Sequence, residues 1–259
     1  MQIINTLRAT FLTLKRTRAL WLAIAAPLFI LCFRTLIYLV GRDANIAKDA
    51  WNFWLDGNYE FWFGLLLPLA LALDIALLVD IDRAAQGWKY LFALPVSRTS
   101  VYIAKLLVAL VLSLMSGAIL LAGSLVVGYL LAFIDPQLGF LLASPGILYY
   151  LKAILLETLA SCFIIAIYLW LSMRTKNFIL PACLGIASTV LTIVGYDNDL
   201  LQKFSPWMYA LDMDRILSKL PETQHYLGWS LPIIFAISIA GTICMTLLGI
   251  IEFNRRDIY

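Results

Sequence analysis

The sequence predicts an all-α integral membrane protein. It would have six transmembrane helices, an amphipathic interfacial helix before them, and a short cytoplasmic helix between spans two and three. Three observations predict this. The 259 residues are 63% hydrophobic and only 14% charged, with a mean hydropathy of +0.90. Soluble domains are about 45–50% apolar and about one-quarter charged. A soluble fold of this length could not hide so much apolar surface, whereas a bilayer supplies the solvent it needs. The apolar residues form long continuous runs rather than the alternation of barrel strands.

A helix needs about 20 apolar residues to span the hydrocarbon core. Runs of that kind fall at about 19–40, 61–79, 103–133, 147–173, 178–196 and 228–251. They are spread evenly, so residues 1–259 read as one membrane domain. The first run follows Arg8, Lys15, Arg16 and Arg18 and lacks a small-residue cleavage site. It is expected to be an anchor rather than a removed signal peptide.

Lysine and arginine set the orientation. Arg8, Lys15, Arg16, Arg18, Arg83, Lys89, Arg98, Lys105, Arg174, Lys176, Arg255 and Arg256 would share one side. Arg42, Lys48, Lys203, Arg215 and Lys219 would face the other. The richer side should be cytoplasmic and hold both termini, in the plasma (inner) membrane. Within 1–18, Ile4, Leu7, Phe11 and Leu14 fall on one helical face, flanked by basic residues. That pattern predicts a helix lying in the inner headgroup region, with its apolar face toward lipid tails.

The outer connections carry aromatic residues. Trp51, Phe53, Trp54, Tyr59, Phe61 and Trp62 precede the second span and read mainly as an interface anchor. The 197–227 loop carries Phe204, Trp207, Met208, Tyr209, Leu211, Ile216 and Leu217. Short helices dipping into the outer leaflet would explain it, as would an ordinary aromatic belt. Cys32, Cys162, Cys183 and Cys244 lie inside apolar runs and form no CxxC pair, so they read as small buried apolar residues. No disulfide framework or zinc site is implied. The net charge of +3 is too weak to suggest nucleic acid.

The most informative stretch follows the second span. Ala84, Ala85, Trp88, Leu91 and Phe92 share one face of a short helix that Pro95 stops. Ser97 or Thr99 can then cap the helix of the third span. A cytoplasmic helix presenting Trp88 and Leu91 has apolar surface to bury, on lipid or on a partner protein.

The stretch Gly87-Trp88-Lys89-x-Leu91-x-x-Leu94-Pro95-Val96-Ser97-Arg98, followed by Tyr102 and Lys105, resembles the permease subunits of type 2 ABC exporters. It is most similar to the branch of lantibiotic-immunity and bacitracin-export permeases. The likeness covers the layout of the whole chain, including the closing Phe253-Asn254-Arg255-Arg256-Asp257. Many relatives carry a glutamate just before the glycine, where this chain has Gln86, with Asp80 and Asp82 a little earlier. The resemblance implies that the short helix is a coupling helix docking on a separate ABC ATPase subunit. Gly87, Trp88, Lys89, Leu91, Leu94 and Arg98 would carry the docking. ATP and Mg would be bound by that partner, and a second permease copy or a related permease would complete the path. The cargo would be hydrophobic or amphipathic: an antimicrobial peptide, an antibiotic or a lipid.

The chain has no G-x-x-x-x-G-K-[ST] loop, so ATP hydrolysis must belong to another chain. There is no Gly-x-Ser-x-Gly elbow, and the lone His225 excludes a multi-histidine metal site. An enzyme is therefore not expected. Ionisable residues inside spans are costly and often functional. Arg34, Asp74 and Glu157 are such residues, and they could line a polar path or tie helices together. Arg34 with Glu157 is the favoured pair, since both fall in the outer halves of their spans. A secondary transporter or channel would be favoured by inverted repeats, which are not visible, and a non-transporting scaffold is the other alternative.

Overall fold

The computed structural model describes residues 2–14, 17–41, 50–84, 97–142, 144–175, 178–195, 198, 204–210 and 231–255. Among these residues the regular structure is helical throughout. The helices are α1 (Gln2–Leu14), α2 (Arg18–Gly41), α3 (Ala50–Phe61), α4 (Leu67–Ala84), α5 (Arg98–Ile134), α6 (Ile147–Arg174), α7 (Ile179–Val194) and α8 (Leu231–Arg255). A π-helical turn, Trp62–Leu66, joins α3 to α4. Five stretches are long and apolar enough to cross a membrane: α2, α3 with α4, α5, α6 and α8. At 16 residues α7 is shorter, about 24 Å against a hydrocarbon core of about 30 Å.

The second apolar run departs most from the sequence-based expectation. Its helix begins at Ala50 rather than Phe61, and the aromatic cluster forms its first three turns. Trp51, Trp54, Tyr59 and Trp62 are almost completely buried, so they are core rather than an interface belt. A buried indole favours a hydrogen-bond partner, and Trp51 and Trp54 have one, whereas Trp62 Nε1 has none among the described residues. Trp51 Nε1 donates to the Phe140 carbonyl at 2.8 Å, and Trp54 Nε1 to the Ser124 carbonyl at 2.9 Å. Asn58 Nδ2 donates to Ser124 Oγ at 3.1 Å. Gly128 lets Trp51 close on α5, since a Cβ there would lie 2.5 Å from the ring. The π turn has a local cause. Pro68 has no amide hydrogen, and its ring crowds the preceding turn of a regular helix. The widened turn instead lets the Leu67 amide bond the Trp62 carbonyl, five residues back.

The helix formed by α3 and α4 is central. Of its apolar window 67% is buried, against 22% for α2 and 17% for α8, which are peripheral. α2 packs on α5 and α4, α7 on α4, and α8 on α6. Cys32, Cys183 and Cys244 sit on the peripheral α2, α7 and α8 and are exposed, and Cys162 is half-buried. The expectation of burial fails for Cys32, Cys183 and Cys244 because these helices turn one face away from the bundle.

α1 also differs from expectation. Its main neighbour is α5, and Leu7, Phe11 and Leu14 join the protein core. The apolar stripe is therefore covered by protein rather than by lipid tails alone. Thr17 closes the turn into α2, its amide and hydroxyl both donating to the Leu14 carbonyl.

Between α7 and α8 the segment 204–210 descends into the bundle. Met208, Tyr209 and Ala210 are nearly inaccessible, and Trp207 Nε1 donates to Tyr168 Oη at 2.9 Å. Tyr168 lies about 30 Å along α6 from its first residue. Tyr168 Oη also bonds Ser188 Oγ of α7 at 2.7 Å. Irregular backbone is tolerated at that depth only where protein surrounds it. Of the aromatic 197–227 loop, residues 205–210 are set into the bundle, while Phe204 is exposed. Leu211, Ile216, Leu217 and His225 lie outside the described residues.

The two faces of α3 give a direct test. Trp54→Ala should destabilise the purified protein by about 3 kcal/mol, through an unfilled cavity and a lost hydrogen bond. Phe53→Ala, at a half-exposed position, should be close to neutral. Thermal unfolding in detergent compares the two.

Candidate functional site at the basic end of the bundle

The end of α4, the start of α5 and the ends of α6 and α8 meet at one end of the bundle. The start of α5 organises them. Ser97 is its N-cap, its Oγ accepting from the Ser100 amide at 3.2 Å, so Ser97 rather than Thr99 takes the expected role. The first turns of α5 then present Arg98, Tyr102 and Lys105.

Each of these side chains meets the end of another helix. Lys105 is buried at 2% exposure, and its Nζ donates to the Leu78 carbonyl of α4 at 2.8 Å. A helical carbonyl has a second lone pair for such a bond. Arg98 Nη1 donates to the Asn254 carbonyl of α8 at 3.0 Å and the Phe253 carbonyl at 3.4 Å. Both belong to the last described turn of α8. Tyr102 packs its hydroxyl against Gly249 of α8, where any Cβ would collide with it.

α8 is tied in turn to α6. Glu252 Oε2 accepts from Trp170 Nε1 at 2.9 Å, and Glu252 Oε1 lies 3.6 Å from Arg174 Nε. The Arg174 guanidinium stacks over the Trp170 ring at 5.1 Å. Trp170, Glu252 and Arg174 were not singled out as a group from the sequence. The available signal was that Glu252 and Arg174 each directly follow an apolar run, on the same side of the membrane.

Of the six residues expected to dock, Gly87, Trp88, Lys89, Leu91 and Leu94 lie outside the described residues. Arg98 is described, and it bonds α8. The connection 85–96 thus enters from α4 and leaves into α5, and both flanking helices are held by charged side chains.

The three intramembrane ionisable residues do not converge. Arg34 lies against α3, its guanidinium 5.2 Å from the Phe61 ring centre and in contact with Gly57. Arg34 is thus engaged by α3 and not by Glu157, because the extended α3 interposes next to α2. Asp74 is buried on α4, and its Oδ1 accepts no hydrogen bond from the described residues. Glu157 is fully buried on α6. On the opposite end of the bundle, Tyr150 Oη donates to Asp56 Oδ1 at 2.7 Å. Among the described residues no group of three or more histidine, cysteine, aspartate and glutamate side chains could hold a metal ion.

The family model described as "ABC-2 family transporter protein" matches residues 6–195, from α1 through α7. No curated protein and no solved structure matches the chain.

Burial ranks the polar contacts of this site. Lys105→Met should cost about 2 kcal/mol, the worth of a charged hydrogen bond in a dry setting. Glu252→Gln keeps an acceptor for Trp170 and loses only a half-exposed ion pair, at about 0–1 kcal/mol. Equal losses in thermal unfolding would contradict this ranking.

Proposed function

The chain belongs to the ABC-2 transporter family, and from that premise we propose that it is the membrane half of an exporter driven by a separate ATPase. The family match across α1 to α7 carries the reading, since it makes the chain a multi-pass membrane subunit of an ABC transporter. The sequence lacks a phosphate-binding loop, so ATP and Mg would be held by the partner. The basic end of the bundle faces the cytoplasm by the excess of lysine and arginine there. Both termini then lie inside, in the plasma membrane.

In this reading the connection 85–96 docks on the ATPase through Gly87, Trp88, Lys89, Leu91 and Leu94. Its position between α4 and α5 supports the assignment. Closure of the ATPase would push on a segment fixed at both ends, at Leu78 by Lys105 and at α8 by Arg98. A second copy, or a related permease, would complete the path, and the exposed apolar faces of α2 and α8 offer surface for lipid or for that subunit. The cargo would be hydrophobic or amphipathic, such as an antimicrobial peptide, an antibiotic or a lipid. The lantibiotic and bacitracin branch fits the motif best.

The test is biochemical. The chain should copurify with an ATPase and raise its turnover in lipid. Trp88→Ala and Leu91→Asp should each abolish that stimulation while leaving the chain folded. Full stimulation in both variants would rule out docking through this segment, and copurification with no ATPase would reject the reading altogether.

A further inference from the structure

We propose that Arg98 is a strut that carries movement of the 85–96 connection to the last helix, α8, and is not part of the ATPase-docking surface. This inference rests on the reading above and adds an output for it. Three observations carry it.

First, Arg98 stands at the junction. It is the first residue of α5, immediately after the Ser97 cap, so any displacement of the connection reaches it directly. Its guanidinium donates to two carbonyls of α8. Those carbonyls belong to the last described turn of α8, so the bonds hold α8 near its end. Both bonds leave from one nitrogen, Nη1, so a single donor group makes the tie.

Second, α8 lies at the edge of the bundle and packs chiefly on one helix, α6. Only 17% of its apolar window is buried, the least of the five long spans. It packs chiefly on α6, through Gly241 against Phe163 and through Ser238 Oγ donating to the carbonyls of Leu159 and Ala160. α8 is thus a peripheral helix that packs chiefly on one neighbour, and a polar tie at its end can steer it together with that neighbour.

Third, the tie continues beyond Arg98. Tyr102, one turn further along α5, packs against Gly249. Glu252, next to the gripped carbonyls, bonds Trp170 and faces Arg174 at the end of α6. The start of α5 and the ends of α6 and α8 therefore form one polar-linked collar. Lys105 joins α4 to the same collar. The connection can thus act on two outputs, α4 by direct continuity and α8 through Arg98. The α8 side of this device lies beyond the residues that the family model matches.

The experiment uses the full chain in lipid nanodiscs with its copurified ATPase. Hydrogen exchange of the last turn of α8 is followed before and after ATP with vanadate, alongside ATPase stimulation. In the wild type, nucleotide should change the exchange of residues 249–255. Arg98→Gln should still copurify with the ATPase, yet lose that nucleotide-dependent change. Arg98→Lys, which keeps a charged donor, should restore part of it. The strut is refuted if Arg98→Gln retains the change in α8, or if it stops binding the ATPase, which would return Arg98 to the docking surface. A wild-type chain that binds and stimulates no ATPase would instead overturn the exporter reading, and the strut with it.

Discussion

The fold depends on burying a tryptophan-rich helix among other helices inside a solvent that offers no hydrogen bonds. Between helices in lipid there is no hydrophobic gain, so association rests on close packing and on satisfied polar groups. α3 meets both demands at once. Trp51 and Trp54 fill space against α5 and the Phe140 turn, and each indole finds a carbonyl at 2.8–2.9 Å. Gly128 supplies the close approach. With α3 and α4 fixed as the central helix, α2, α5, α6 and α7 have a surface to pack on.

The two ends of the bundle then do different work. The end holding α3 is built from aromatic packing, with Tyr38, Trp51, Trp54 and Phe140 in ring contact. The opposite end is built from charged side chains that reach backbone carbonyls, Lys105 to α4 and Arg98 to α8. Packed rings give a rigid wall. Polar ties at helix ends can shift as units, and they flank the connection that the exporter reading couples to ATP. The inserted segment 205–210 belongs to a third setting. Trp207, Tyr168 and Ser188 form a short hydrogen-bonded chain that lets irregular backbone sit deep between helices.

Much of the architecture was legible in the sequence. Continuous apolar runs give helices in lipid because no other open structure satisfies its own backbone. The Ser97 cap was legible too, since it needs only a serine ahead of a helix whose first amides are unpaired. The aromatic cluster at 51–62 was misjudged because tryptophan suits an interface and a buried core equally well. Its choice depends on whether carbonyls such as those of Phe140 and Ser124 lie within reach, residues distant in the chain. The cysteines were misjudged for a related reason. Apolar character along a span does not distinguish protein-facing from lipid-facing sides, since both are dry.

The sequence by itself determined the class of the protein: a helical membrane chain with a basic side, of the transporter family that the family match shows. These features are local, written in hydropathy, charge and a short run of residues. The tertiary structure alone decided which groups meet. It turned Arg34 toward α3 instead of Glu157, drew Glu252 to Trp170 and Arg174, and aimed Arg98 at the end of α8. The physical reason is that a polar side chain in a dry bundle takes the nearest donor or acceptor that packing presents. That neighbour is set by helix order and depth, which no run of adjacent residues encodes.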